Sequence, residues 1–280
     1  MTGVQTCALP IFKAALGGKN GSVELSAARD EEFSVSAFRG TIDSYNRSGS
    51  GGCAAQALVG KKLGRAYSER LGEAPVAEAL AMAERNAAFL DDDEGNALYS
   101  GSDEREHHEG DAALRMSDEE AKRFVLDLEA ACKARDPRVV NVPMNQYAYV
   151  YASRGIANSG GMYRGGSDHV AYAGSYVMVS EGDDTQTGFY VIASRDRADL
   201  KIDTIAREAV GRALAKLGGV QPASGSYRCV IDGETAGELI GAFLGNIDAE
   251  TMQKGASKLA GRVGEQVGCE IGRASCRERV

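Results

Sequence analysis

From Ser22 onward the chain alternates apolar and polar side chains as half-buried strands do. Val23-Glu-Leu-Ser-Ala and Phe33-Ser-Val-Ser-Ala-Phe predict two strands, with Arg29-Asp-Glu-Glu as the turn between them. Ser48-Gly-Ser-Gly-Gly52 interrupts the alternation, and Ala54-Ala-Gln-Ala-Leu-Val and Leu63-Gly-Arg-Ala-Tyr-Ser follow it. The glycine run lacks the Gly-Lys-Ser/Thr ending of a phosphate loop, so a flexible hairpin connection is expected there. Ala74 to Leu90, rich in Ala, Glu and Leu, predicts a helix.

Ser117-Asp-Glu-Glu supplies an N-cap and an acidic first turn for a helix that runs to about Arg135, where Asp136-Pro137 stops it. Val139-Val-Asn-Val opens a strand that continues with Tyr147, Tyr149 and Tyr151 on one face and Ala148, Val150 and Ala152 on the other. The tyrosine stripe could form a peptide-binding shelf; packing on a neighbouring sheet is the expected role. Ile156-Ala-Asn-Ser-Gly160 turns the chain, and Val170 to Ser180 with Thr187 to Ser194 predict a hairpin through Glu181-Gly-Asp-Asp. Ile205 to Leu217 is amphipathic, with Ala206, Ala209, Ala213 and Leu214 on one side and Gly218-Gly219 as its stop.

In the last third, Tyr227-Arg-Cys-Val-Ile predicts a short buried strand feeding a helix capped by Asp232. Ala236, Leu239, Ile240, Phe243 and Leu244 recur at i, i+3, i+4, i+7, i+8 and are expected to face a core. Gly237, Gly241 and Gly245 form an adjoining stripe, and three glycines in register suggest that another backbone passes close.

Composition narrows the function classes. The chain carries 32 Lys+Arg against 40 Asp+Glu, a net charge of −8. An acidic surface argues against a nucleic-acid groove, and no apolar run approaches the length of a membrane span. Cys53, Cys132, Cys229 and Cys269 are widely spaced and form no Cys-x-x-Cys pair, so buried or idle thiols in a reducing cytoplasm are expected. From Asp91 to Asp111 nine carboxylates face one Arg, the composition of a solvated linker. Inside it, His107-His108-Glu109 starts like a metal motif, but Ala112 and Ala113 stand where a second His would be needed. Ser167, Asp168 and His169 are adjacent, whereas a catalytic triad converges from separate elements. The two ends, residues 2–11 and 270–280, resemble translated sequencing adapters, and the interior from about Phe12 to Cys269 is expected to be an internal piece of a longer gene. Without the tail's three Arg and two Glu its net charge is near −9.

The order of strand, amphipathic helix, Lys254-Gly255-x-Ser257 and Gly264-Glu265-x-Val267 resembles the opening of the C-terminal domain in the TldD/PmbA family of metallopeptidases. Ile156-Ala-Asn-Ser-Gly160 and the run from Leu217-Gly218 to Ser224-Gly225 extend the resemblance upstream. It implies an α+β fold, with N-terminal and central sheet-plus-helix domains followed by the truncated start of a β-rich C-terminal domain. The implied boundaries are 12–112, including the acidic linker, 113–222 and 223–269, with residues 1–11 and 270–280 as adapter-like ends. In the family's catalytic TldD branch, the resemblance implies, this helix carries His-Glu-x-x-x-His for a metal. Counted back from Gly264-Glu265, those positions are Ile240, Gly241 and Gly245.

The resemblance therefore points to the PmbA/TldE branch. The expectation is a cytoplasmic, non-catalytic subunit with no cofactor, metal or catalytic residue of its own. It would complete the chamber of a heterodimer whose TldD-like partner holds zinc and hydrolyses unfolded peptides, with no nucleic-acid or membrane partner. The alternative the family offers is a regulatory binding protein acting on DNA gyrase or a toxin-antitoxin system. A self-sufficient hydrolase finds no supporting cluster of residues.

Overall fold

A computed structural model describes residues 11–17, 22–99, 104–105 and 112–266. The chain divides into two compact units, residues 1–219 and 220–280. A short helix α1 (residues 11–16) precedes strands β1 (Ser22–Phe38), β2 (Thr41–Val59) and β3 (Lys62–Ser68). Helix α2 (Glu73–Ala87), the two-residue strand β4 (Glu104–Arg105) and helix α3 (Asp118–Arg135) follow, then β5 (Val139–Asn158), β6 (Tyr163–Glu181), β7 (Asp184–Ser194) and α4 (Ile202–Leu214). The second unit contains α5 (Gly233–Leu244) and α6 (Ala249–Gln253). The architecture is α+β.

All seven described strands share one sheet, ordered β3-β2-β1-β5-β6-β4, with β7 also on β6. Every pairing is antiparallel except the parallel β4–β6 contact. Because β1 pairs with both β2 and β5, the N-terminal and central stretches build one sheet. Its side chains alternate between faces, and the helices of this unit pack on one of them. Val23, Leu25, Ala27, Cys53, Ala55 and Ala57 lie under α2 with Val76, Leu80 and Ala83, and Phe12 of α1 joins this cluster. Phe33, Val35, Tyr147, Ala173 and Val177 lie under α3 and α4, against Phe124, Leu128, Ile205 and Ala209. The helices seat on glycine: a Cβ on Gly64 would lie 2.0 Å from the Ala83 carbonyl oxygen, and one on Gly188 2.2 Å from that of Ala209. Among the described residues of this unit, no helix packs on the opposite face.

Several expectations change. Arg29 to Glu32 is not a turn but the middle of β1, because both flanks are paired: Asp30 faces Ser50 on one side and Ala152 on the other. The turn is Arg39-Gly40, both residues at positive φ (54° and 75°), with the Gly40 N–H donating to the buried Glu129 carboxylate. Ser48 to Gly52 is no loose connection either. It lies inside β2, where a Cβ on Gly52 would come within 2.5 Å of the Ser68 carbonyl oxygen. Of the tyrosine stripe, Tyr147 packs beneath α3, edge-on to Phe124 at 6.0 Å, and not on a second sheet, while Tyr149 and Tyr151 lie against His169. Capping by Ser117, the β6–β7 hairpin turning at Gly182 (φ 61°) and the helix before Gly218 follow the sequence reading.

In the second unit, Tyr227–Ile231 forms no strand and pairs with no described strand; Val230 is fully exposed. No described helix is long and apolar enough to cross a membrane. The two ends, apart from Ile11, fall outside the described residues, as do His107, His108, Glu109 and Cys269.

Candidate functional site

Helix α5 is the place where the family resemblance puts chemistry. Asp232 caps it as predicted: its Oδ1 accepts from the N–H groups of Glu234 at 2.9 Å and Thr235 at 3.0 Å. The Thr235 N–H bond holds the Asp232 carboxyl below the usual carboxylate range. The glycines of the motif are conformational. Gly255 and Gly264 take φ of 68° and 86°, and Ser257 Oγ donates to the Asn246 carbonyl, which ties the segment after α6 back to the end of α5. The apolar stripe is exposed rather than core, with Leu239, Ile240, Phe243 and Leu244 between 48% and 67% accessible. None of the residues of α5 is buried. A Cβ on Gly237, Gly241 or Gly245 would meet no heavy atom within 4 Å, so the close backbone expected at this stripe is not there.

Zinc is held in proteins by imidazole, thiolate or carboxylate donors. Ile240 offers only aliphatic carbon, and Gly241 and Gly245 offer no side chain. Among the described residues no three His, Cys, Asp or Glu groups come together as a metal site. The residues at these positions therefore do not fit a metal.

A second feature lies on the helical face of the sheet. Between the patch under α2 and the patch under α3 and α4, the alternation of β1 delivers Arg29 and Glu31 where apolar residues stand on either side. Gly49, Glu31, Tyr151 and His169 lie side by side across four strands, and Gly51, Arg29, Ser153 and Ser167 form the next row. A cleft of about 570 Å³ opens over this band, with Arg29, Glu31, Arg47, Glu69, Leu71, Arg115 and Tyr149 in its lining. Arg29 pairs with Glu31, and Arg47 is tied to Asp118 at 2.8 Å. At the floor the Tyr149 hydroxyl and His169 Nδ1 are 2.5 Å apart. Burial pushes the Tyr149 phenol up, which keeps its proton available to the imidazole. Asp168 points to the other side of the strand and meets Arg195 at 2.5 Å, so Ser167, Asp168 and His169 do not converge. Sequence reasoning missed this cleft. Its signal was the charged break in the alternation of β1, which resembles a turn when one strand is considered alone.

Models of three parts of the PmbA/TldA metallopeptidases match the chain: domain 1 at residues 23–88, the central domain at 111–217 and the C-terminal domain at 224–271. No curated protein sequence matches it. Among solved structures, a proposed modulator of a DNA gyrase from Thermotoga maritima is similar, with a TM-score of 0.80 and 23% identity over 93% of this chain and 59% of that one. TldE from Thermococcus kodakarensis follows at 0.74 and 19%, over 94% and 60%. A proposed modulator of DNA gyrase from Bacteroides thetaiotaomicron gives 0.76 and 17%, over 93% and 60%. These identities speak to fold alone, and the chain spans 59–60% of the length of those structures. With all three domain models matched in order along it, the chain belongs to the PmbA/TldD family of metallopeptidases.

Proposed function

We propose that this chain is the PmbA/TldE-type half of a heterodimeric peptidase: it shapes the chamber, and a TldD-like partner holds zinc and hydrolyses unfolded peptides. The observation that carries the reading is the donor chemistry of α5. Ile240, Gly241 and Gly245 stand where the resemblance places two metal-binding imidazoles and the proton-handling carboxylate. What remains for this chain is positioning, and the helix-free face of its sheet suits that work. Ser26, Ala28, Ser50, Gly52, Ala54 and Ala152 lie in neighbouring register there around the exposed Asp30–Arg154 ion pair, so that face offers an extended peptide both small side chains and charge. Cys53 and Cys132 are free thiols, in keeping with the reducing cytoplasm this reading assumes.

Reconstitution tests it. The chain purified alone is expected to leave an unfolded reporter peptide intact. Mixed with a His-Glu-x-x-x-His subunit, it is expected to co-purify and yield cleavage that a chelator stops. Chelator-sensitive cleavage by the chain alone contradicts the reading, and recovery of gyrase without any TldD-like subunit would favour the regulatory alternative.

A further inference from the structure

Two outer strands of the sheet have helix side chains on their edges. Asn86 donates to the Arg65 carbonyl of β3 at 2.8 Å, and Arg212 and Lys216 donate to the Phe189 and Thr187 carbonyls of β7 at 3.2 and 2.8 Å. The first half of β2 is different. β3 pairs with β2 only from Cys53 to Val59, so residues 41–52 have β1 on one side and no strand on the other among the described residues. At Gly51 and Gly52 the chain leaving β3 passes close: a Cβ on Gly51 would lie 3.5 Å from Leu71 Cδ1, and one on Gly52 2.5 Å from the Ser68 carbonyl oxygen. At the other end Asp43 is the extra residue of a bulge, where the pairing steps from Ala37 with Ile42 to Ser36 with Ser44. Residues 44–50, between these limits, are held extended by β1, and among the described residues no other group is hydrogen-bonded to their main chain. That is the length of an ordinary strand. Natural sheets blunt such an edge with lysine or proline, and this stretch has neither, while Ser48, Gly49 and Ser50 set no bulky side chain beside it.

We infer that residues 44–50 of β2 capture an extended segment of unfolded polypeptide as an added strand, held by main-chain hydrogen bonds. Recognition through the main chain asks little of the segment's sequence, and small serine and glycine neighbours fix no register. Because β1 already holds the edge extended, only the incoming chain loses conformational freedom on binding. Its side chains on the helical side lie beside the cleft, whose lining includes Arg47, Ser48, Gly49 and Ser50. A second copy of this chain is the poorer occupant. Tyr45 and Arg47 donate to Asp118 at 2.7 and 2.8 Å, so the start of α3 stands over this edge. Two β2 strands paired about a two-fold axis would place two such helix starts, each opening Asp118-Glu119-Glu120, on the same face of one junction. An unfolded segment brings no helix and no like charge. The inference does not rest on the heterodimer reading, because it uses neither α5 nor a metal and is read as binding rather than cleavage.

Titration of the full chain with acetyl-Thr-Val-Thr-Lys-Thr-Val-Thr-amide, followed by amide exchange, tests it. Exchange of amides within residues 44–50 is expected to slow when the peptide binds. A strand pairs through one of its two edges, so the peptide N-methylated at every second residue keeps a free edge and is expected to bind within about threefold of the parent. N-methylation at every residue removes both edges and is expected to weaken binding at least tenfold, several main-chain bonds being lost together. The N–H groups of adjacent strand residues point to opposite neighbours, so one of Ser48→Pro and Gly49→Pro loses a bond to β1 and the other an outward donor. The more stable of the two in urea is the outward one, and it is expected to bind the peptide at least fivefold more weakly than the parent chain. Unchanged exchange in 44–50 at millimolar peptide, equal binding of the fully N-methylated form, or undiminished binding by the more stable proline variant would overturn the inference. So would a dimer of the chain that this variant dissociates, which would give the edge to a second copy.

Discussion

At Arg39 a single backbone angle carries a stability cost that the sequence does not announce. Arg39 and Gly40 join β1 to β2 with both φ values positive, a geometry that suits Asn-Gly and strains an arginine. Arg39→Asn is expected to stabilise the protein by about 0.5–1 kcal/mol, read as a higher midpoint in urea. A lower midpoint would mean that the stacking of Arg39 over Phe38, 4.9 Å from the ring centroid, outweighs the strain. At Ser117 the sequence was plainer. Ser117 and Glu120 cap each other across the first turn of α3, as the Ser-x-x-Glu spacing foretells. The Ser117 N–H and hydroxyl, then Arg197, hold the Glu120 carboxyl at about 2, against its ordinary 4.5. A depressed carboxyl favours the folded state fully above its unfolded value and loses that contribution as pH falls through the folded one. Glu120→Gln should therefore be less stable than the parent at pH 7, with the gap closing between about pH 4.5 and 2. Denaturation at a series of pH values checks this, and a constant gap would contradict it.

Among the elements, close approach of helix and backbone is real but sits elsewhere than the glycine stripe of α5 suggested. The glycines are on the strands and the alanines on the helices. Gly64 of β3 meets Ala83 and Ala87 of α2, and Gly188 of β7 meets Ala209 and Ala213 of α4. Side chains also occupy carbonyls of these outer strands: Asn86 donates to Arg65, and Arg212 and Lys216 donate to Phe189 and Thr187. Gly64→Ala and Gly188→Ala should each cost about 2–4 kcal/mol, because the new carbon meets backbone that must move. Gly241→Ala should do the opposite and steady α5 by about 1 kcal/mol, seen as slower amide exchange in that helix. Loss of helix in Gly241→Ala would show that something does pack there. The alternation of strands and the apolar face of α4 were legible because burial follows local period, whereas the equally periodic face of α5 is exposed. Strand length was not, since Arg29 to Glu32 and Ser48 to Gly52 are held extended by neighbours more than a hundred residues away in β5 or across the hairpin.

For the molecule as a whole, α+β class and family follow from patterns that local spacing and motif order preserve. The single sheet uniting the first two stretches does not, because the β1–β5 pairing leaves no mark in either strand alone. The candidate sites divide in the same way. At Ile240, Gly241 and Gly245, the positions the resemblance singles out, the sequence itself shows that no side chain can donate to a metal, while the cleft needed Glu69, Arg115 and Tyr149 brought together from three distant segments. The central claim is that this chain cannot hold a catalytic metal against α5. Zinc per chain, measured by mass spectrometry after dialysis of the purified protein in zinc-containing buffer, tests it most directly. We predict a value far below one, unchanged by a chelator wash. One zinc per chain that the chelator strips, and that substitutions on α5 abolish, would contradict the account.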